Sequence, residues 1–193
     1  MNTDTYWDQR WQKGETGWDI GYPAPALMDY AMQNIHLDAK ILIPGAGSGY
    51  EAASLFQKGY HNVHMLDISP TAVKRFHDQW PGFPKQQLIC DDFFQHQDTY
   101  DFILEQTFYC ALDPKMRNAY VRQMHALLNS GGTLAGLLFQ FPLTEAGPPF
   151  GGSKAEYLSR FEPFFDIEEM ETCTNSIAPR QGNELFFVMH KKP

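Results

Sequence analysis

Apolar residues downstream of residue 40 fall into short unbroken runs, separated by longer stretches in which they recur every three or four positions. Short runs bounded by glycine, proline or aspartate mark strands buried on both faces, and the wider spacing marks helices with one covered face. Strands are therefore expected at 40–43, 62–66, 87–90, 100–104 and 133–139, with two more at about 165–172 and 184–190. The intervening pattern predicts helices over 51–57, 70–79 (with Pro70 in its first turn), 114–128 and 155–160. In the long helix Met116, Ala119, Tyr120, Met124, Leu127 and Leu128 share one face, and Gly131-Gly132 is expected to close it. Upstream, Trp7 and Trp11 have helical spacing, glycines at 14, 17 and 21 break the pattern around Trp18, and a short helix covers 24–33. The proline- and glycine-rich segment 142–152 is long enough for a lid. Strands alternating with helices imply an α/β fold, a doubly wound seven-stranded sheet that is mostly parallel, and the closing strand pair implies an antiparallel edge strand.

At 193 residues the chain is one domain, because domains run to roughly 150 residues. Hydrophobic residues at 43% and charged ones at 20% exclude a disordered chain. The net charge of −8 repels phosphate backbones and anionic lipid, so neither nucleic acid nor a membrane surface is an expected partner. Cys90, Cys110 and Cys173 are odd in number and far apart, which argues against a disulfide framework or a metal site. With a polar start lacking a signal pattern and no apolar run long enough to span a bilayer, a cytoplasmic location is expected. A monomer is the expected state. Aromatic residues, at 15%, are abundant.

The most informative stretch is Ile41-Leu42-Ile43-Pro44-Gly45-Ala46-Gly47-Ser48-Gly49-Tyr50-Glu51. A buried strand running into glycines and then a helix lets backbone approach a ligand at the strand's carboxyl end. The next strand ends at Asp67, where a carboxylate can accept hydrogen bonds from ribose hydroxyls. The glycine spacing departs from the pyrophosphate fingerprint and puts Tyr50 at its last slot, which disfavours a dinucleotide. S-adenosylmethionine, a nucleoside without phosphate, uses the same geometry; the alternative is a tight turn that binds nothing. At the third strand end, Asp92 beside Phe93 can accept from an adenine amino group while the ring packs on the base. The plainer alternative is a helix cap followed by two core phenylalanines.

The glycine loop, Asp67 and Asp92-Phe93 together are similar to the class I S-adenosylmethionine-dependent methyltransferases. Trp7-x-x-x-Trp11 with Trp18-Asp19, Asp91-Asp92-Phe93-Phe94, Thr107-Phe108-Tyr109-Cys110-Ala111 and Pro148-Pro149-Phe150 narrow the resemblance. Over nearly its whole length the chain resembles the thiopurine S-methyltransferase family, in its branch of halide, thiocyanate and thiol methyltransferases. That resemblance implies a Rossmann-like fold and S-adenosyl-L-methionine as cofactor, with residues 1–22 as a tryptophan-rich lid over its site. Trp7, Trp11 and Trp18 would lie against the cofactor or close the pocket over it, Gly45 would line its methionine portion with Gly47 also binding the cofactor, Asp67 would meet the ribose, and Asp92 and Phe93 the adenine. Glu105 would reach the methionine end, and Arg117 and Tyr157 would face the acceptor as catalytic residues. The chain departs from the family where it lacks the Pro-Leu-Cys-Gly-Lys-type loop of thiopurine-methylating members, and where Glu105-Gln106 replaces the Asp-Tyr frequent in plant members. Tyr109 also stands where phenylalanine is usual.

Methyl transfer from a sulfonium is a displacement at carbon, in which positioning the nucleophile alone can supply roughly 7–11 kcal/mol. A thiolate or halide arrives ionised and needs no general base, and none of the seven histidines falls inside these motifs. The expected acceptor is a small soft nucleophile: a thiol, a halide or thiocyanate. Larger thiopurine-like thiols or a chalcogen oxyanion are the alternative acceptors, and a non-catalytic cofactor-binding module is the alternative from another class. Tyr157 can donate to an anion. Arg117 can attract an anion or the cofactor carboxylate, or pair with Glu105 or Asp113. Cys110, in an apolar run without an adjacent histidine, reads as a buried structural thiol.

Overall fold

The computed structural model describes residues 3–193, so the first two residues of the expected lid lie outside the described residues. Strand β1 (Ile41–Pro44) is buried at every position, because it pairs in parallel with β2 (Val63–Asp67) on one side and β4 (Tyr100–Gln106) on the other. Strand β3 (Leu88–Cys90) extends the sheet beyond β2, and β5 (Leu128–Phe139) extends it beyond β4, both in parallel. Strand β7 (Glu184–Lys191) runs antiparallel beside β5, and β6 (Phe165–Thr172) is the antiparallel edge next to it. The order is β3-β2-β1-β4-β5-β7-β6, the seven-stranded, mostly parallel arrangement expected from the sequence.

Alternation along these strands sends side chains to two separate cores. Leu42, Leu66, Ile103 and Leu134 pack with Tyr120 and Met124 of α5 (Arg117–Ala126) and with Tyr157 and Phe161 of α6 (Lys154–Phe161). Their neighbours Ile41, Ile43, Met65 and Ala135 pack on the opposite face. Their partners there are Ala31 of α2 (Pro25–Asn34), Ala52 of α3 (Tyr50–Gln57) and Phe76 of α4 (Pro70–Gln79). Helices on both faces make the sheet doubly wound, and the strand order reverses beside β1. Loops leaving β1 and β4 there diverge, which opens a crevice at the carboxyl ends of the strands.

One expectation is corrected. The helix expected over 114–128 is a 3₁₀ turn at Pro114–Met116 followed by the shorter α5, and Gly131-Gly132 lies within β5 instead of capping a helix. Leu128 already pairs with Tyr100, and the register then slips before Phe102 meets Thr133. Gly131 takes up the slip at φ +73°, and a Cβ on Gly132 would sit 2.9 Å from the Asn129 carbonyl oxygen. A glycine pair gives the same sequence signal whether it stops a helix or accommodates a bulge. No helix among the described residues is long and apolar enough to cross a membrane. Cys90, Cys110 and Cys173 are free thiols.

Candidate active site

The loop after β1 turns through Gly45, Gly47 and Gly49 at φ +58°, +56° and +66°, a left-handed path that side chains with a Cβ resist. Close packing fixes it further, since a Cβ on Gly45 would run into the Phe108 ring and one on Gly49 into Phe76. Asp67, only 7% exposed, ties this loop to the next. Its Oδ2 accepts from the Gly47 N–H and its Oδ1 from the Ser69 N–H, each at 2.8 Å. Burial pushes the Asp67 carboxyl above its ordinary value, against the opposing pull of those N–H groups. Asp92 accepts from the Phe94 N–H at 2.9 Å, and Phe93 meets Phe108 edge to face at 5.1 Å.

These groups line one end of a cavity of about 450 Å³ at the carboxyl edge of the sheet. The part of the lining that follows β4 and β5 is mostly apolar, formed by Thr107, Phe108, Cys110, Leu112, Met116, Phe139, Pro148 and Pro149. Cys110 donates to the Thr107 carbonyl at 3.3 Å, and burial pushes its thiol upward, so at neutral pH it stays the protonated structural thiol expected from sequence. Thr107 itself sits at φ +56°, where a residue with a Cβ is held only by its surroundings.

Helix α1 (Thr3–Lys13) and the turn after it roof the cavity with the three tryptophans. Trp7 and Trp11 each meet Trp18 edge to face, at 5.4 and 5.8 Å between ring centroids. Two carboxylates fasten this roof, and the sequence reading assigned neither a role. Asp8 accepts from Ser69 Oγ at 2.7 Å and from the Thr71 N–H at 2.9 Å, at the start of α4. Burial pushes Asp8 up, but the bonds from Ser69 and Thr71 outweigh it and hold the carboxyl below its ordinary value. Asp19 accepts from Ser48 Oγ at 2.5 Å, from Tyr50 OH at 3.3 Å and from the Gly21 N–H at 2.7 Å. Substituting Asp19→Ala should therefore loosen the roof from the glycine loop, with about 1 kcal/mol, or roughly fivefold, lost in cofactor affinity. Calorimetry measures that loss, and thermal melting should move by only a few degrees.

Three residues expected at the ligand stand one layer behind the wall. Glu105 has no exposed surface: its Oε1 accepts from the Phe108 and Tyr109 N–H groups at 2.9 Å, and its Oε2 from Tyr120 OH at 2.5 Å. It holds the turn after β4 and does not line the cavity. Burial pushes Glu105 up to about 7, despite those hydrogen bonds. Arg117 is fully buried and pairs with neither Glu105 nor Asp113; its Nη1 donates to both Glu156 oxygens at 2.9 and 3.0 Å. Tyr157 is buried too, and donates to the Phe139 carbonyl at 2.5 Å. The physical reason is common to all three. A buried charge or hydroxyl seeks protein partners, and these three find theirs behind the wall, although the Arg117 Nε is left without one.

A cation that does line the cavity is Arg180, in the 3₁₀ turn Ala178–Arg180 between β6 and β7. It donates to the Trp18 carbonyl at 3.0 Å, pairs with Glu184 at 3.3 Å, and lies 5.5 Å from the Phe139 ring centroid. No motif surrounds it in the sequence, so only the fold brings it to the site. Arg10, in the tryptophan helix, also lines the cavity, 5.2 Å from the Trp18 ring. Among the described residues no group of three or more His, Cys, Asp and Glu side chains could hold a metal ion.

Two carboxylates at adjacent strand ends, a glycine loop open to the cavity and aromatic rings overhead fit a nucleoside that carries a positive centre. A family model described as thiopurine S-methyltransferase matches residues 2–191. The "Probable thiol methyltransferase 2" of Arabidopsis thaliana is 32% identical, over 95% of this chain and 83% of its own length. The "Thiocyanate methyltransferase 1" of Brassica oleracea is 28% identical, over 92% of this chain and 81% of its own. Among solved structures, Burkholderia thailandensis 1,6-didemethyltoxoflavin-N1-methyltransferase, with bound 1,6-didemethyltoxoflavin and S-adenosylhomocysteine, superposes at TM-score 0.79 and 16% identity. That match covers 99% of this chain and 88% of the other, a likeness of fold.

Proposed function

The chain belongs to the thiopurine S-methyltransferase family and is an S-adenosylmethionine-dependent methyltransferase of Rossmann-like fold, and from that premise we propose that its methyl acceptor is a small soft nucleophile: a thiol, thiocyanate or a halide. The observation that carries this reading is the apolar end of the cavity, between the Thr107–Leu112 turn and Pro148-Pro149. Among the described residues no histidine lines the cavity, and its carboxylates, Asp67 and Asp92, end β2 and follow β3, across the reversal of strand order from that turn and those prolines. An amine or hydroxyl acceptor would need a base there; a thiolate, thiocyanate or halide arrives ionised. Size points the same way. Ligand pockets span roughly 300–1,000 Å³, and a cavity of about 450 Å³ falls in the lower part of that range, which favours a small acceptor beside the cofactor. The names of the two plant relatives agree with this class.

In this reading Asp67 accepts from the ribose hydroxyls, Asp92 accepts from the adenine amino group, and Phe93 packs on the base. Gly45 and Gly47 bring backbone against the methionine portion. When bound, S-adenosylmethionine supplies a methyl group on a positively charged sulfur, open to direct displacement. Trp7, Trp11 and Trp18 then roof that charge, exclude water and offer it ring faces, an attraction of about 2 kcal/mol when desolvated. Arg180 draws an anionic acceptor toward the rim, with its charge tempered by Glu184. The protein should convert S-adenosylmethionine to S-adenosylhomocysteine with hydrosulfide, small thiols, thiocyanate or iodide, at kcat/KM well above that for a thiopurine. Methylation confined to the thiopurine would overturn the reading. So would tight cofactor binding without turnover on the whole panel, the mark of a non-catalytic module.

A further inference from the structure

The wall that closes the acceptor end is gripped from behind, and we propose that Arg117, Glu156 and Tyr157 act together as positioning residues for Pro148 and Pro149. The segment 140–153 joins β5 to α6, and those two prolines line the cavity. Proline donates no backbone hydrogen bond, so this wall cannot be held by a ladder of its own. It is held at its two ends. Tyr157 OH donates to the carbonyl of Phe139, where the segment begins, and Arg117 Nη2 donates to the carbonyl of Gly151, where it ends, at 2.5 and 2.7 Å. The Gly152 N–H donates to the Phe141 carbonyl at 2.8 Å and closes the base. The Phe150 N–H donates to the Cys110 carbonyl at 2.7 Å and ties the wall to the turn opposite. Both glycines are required: a Cβ on Gly151 would run into the Phe141 carbonyl, and one on Gly152 into the Tyr157 hydroxyl.

The charge on Arg117 distinguishes positioning from simple stability. Arg117 is buried while Glu156 keeps part of its surface in solvent, and such a pair is a weak source of stability because desolvating the charge offsets the attraction; fixing one geometry is the role it can fill better than apolar packing. Arg117 is shared among three elements that meet at the acceptor end: Glu156 on α6, the Gly151 carbonyl in the wall, and the Tyr109 ring 4.7 Å away in the turn after β4. Arg160 donates to the same Glu156 oxygen at 2.8 Å and fixes its orientation. Met116, which precedes Arg117 in the chain, lines the cavity itself. A shift of this pair is therefore felt on two sides of the acceptor.

This inference rests on the acceptor end assigned above, but not on which acceptor occupies it. The test compares Tyr157→Phe, Glu156→Gln and Arg117→Lys with the unaltered protein by hydrogen–deuterium exchange, by calorimetry with S-adenosylmethionine, and by steady-state kinetics with any acceptor the protein turns over. Exchange across 140–153 should quicken about tenfold and acceptor KM should rise about five- to tenfold, the worth of one hydrogen bond, with cofactor Kd unchanged and kcat within about threefold. Unchanged exchange in that segment would overturn the proposal. A fall in kcat of two orders of magnitude at constant KM would also overturn it, by giving these residues a part in the chemical step. Tyr157→Phe removes a single hydroxyl, so a folded variant is available even if Arg117→Lys does not fold. Should no small acceptor be turned over, the exchange result still decides this proposal separately from the acceptor class.

Discussion

Asp67→Ala is expected to weaken S-adenosylmethionine binding by about 2–3 kcal/mol, roughly 30- to 150-fold in Kd. A hydrogen bond to a charged acceptor is worth about 1.5–3 kcal/mol when the partner is lost in a buried site. Here the carboxylate also organises the site before any ligand arrives. It holds the Gly47 and Ser69 N–H groups, so alanine leaves two donors without an acceptor and frees the glycine loop. Asparagine does not rescue it, because its amide can accept from one of those N–H groups but turns a donor toward the other. Isothermal calorimetry reads the loss directly. Affinity within twofold of the unaltered protein would mean that the ribose hydroxyls do not meet Asp67. A Kd restored by Asp67→Asn would assign the effect to shape and not to charge.

That residue was legible in the sequence because its placement is local. An apolar run followed by glycines or an acid defines a strand end, and in a parallel sheet the carboxyl ends of neighbouring strands gather on one edge. Gly45, Gly47, Asp67, Asp92 and Phe93 were found by this rule, and all of them line the cavity. Trp18 was legible through its isolation among glycines, and Trp7 and Trp11 through the resemblance. Glu105, Arg117 and Tyr157 were placed at the ligand by analogy, and nothing in the residue string separates a polar side chain facing a cavity from one facing the layer behind it. What separates them is satisfaction: Glu105 finds two N–H donors in the turn just after it and a third in Tyr120, and Arg117 finds a carboxylate 39 positions away, and the last two contacts exist only once the fold has formed. Arg180 escaped for the converse reason, since the turn that presents it lies between the last two strands, far in sequence from every motif. The abundance of aromatic residues divides along the same boundary. The tryptophans, Phe93 and Phe108 face the cavity, while Tyr120, Tyr109, Tyr157 and Phe161 continue from them as edge-to-face and tilted rings 5.0 to 6.4 Å apart into the core beneath α5 and α6. Tyr157 and Tyr120 suit that boundary, because each ring packs while its hydroxyl holds a group behind the cavity, the Phe139 carbonyl and the Glu105 carboxylate.

Glu105→Gln should make the protein more stable in mildly alkaline solution and no more stable in acid. Burial pushes the Glu105 carboxyl from its ordinary value of 4.5 up to about 7, so the folded chain holds that proton more tightly than the unfolded chain does. The favourable contribution is complete below pH 4.5, is lost as pH rises through about 7, and above that leaves a cost of about 3 kcal/mol for ionising a carboxyl with no buried cation beside it. Glutamine cannot ionise. Its Oε1 still accepts from the Phe108 and Tyr109 N–H groups, and its amide nitrogen donates to Tyr120 once that hydroxyl turns, so the turn after β4 keeps its shape. Denaturant titrations at pH 5 and pH 8 should then give equal or slightly lower stability for the variant at the first value. At the second they should give about 2–3 kcal/mol more, or roughly 4–12 °C in Tm for a domain of this size. Asp67 and Glu51 are also pushed up by burial, so a weaker slope of the same sign should persist in the variant. Parallel curves for the two proteins would show that ionisation of Glu105 is not coupled to folding, and would remove the desolvated carboxyl from the account of how the acceptor-side turn is held.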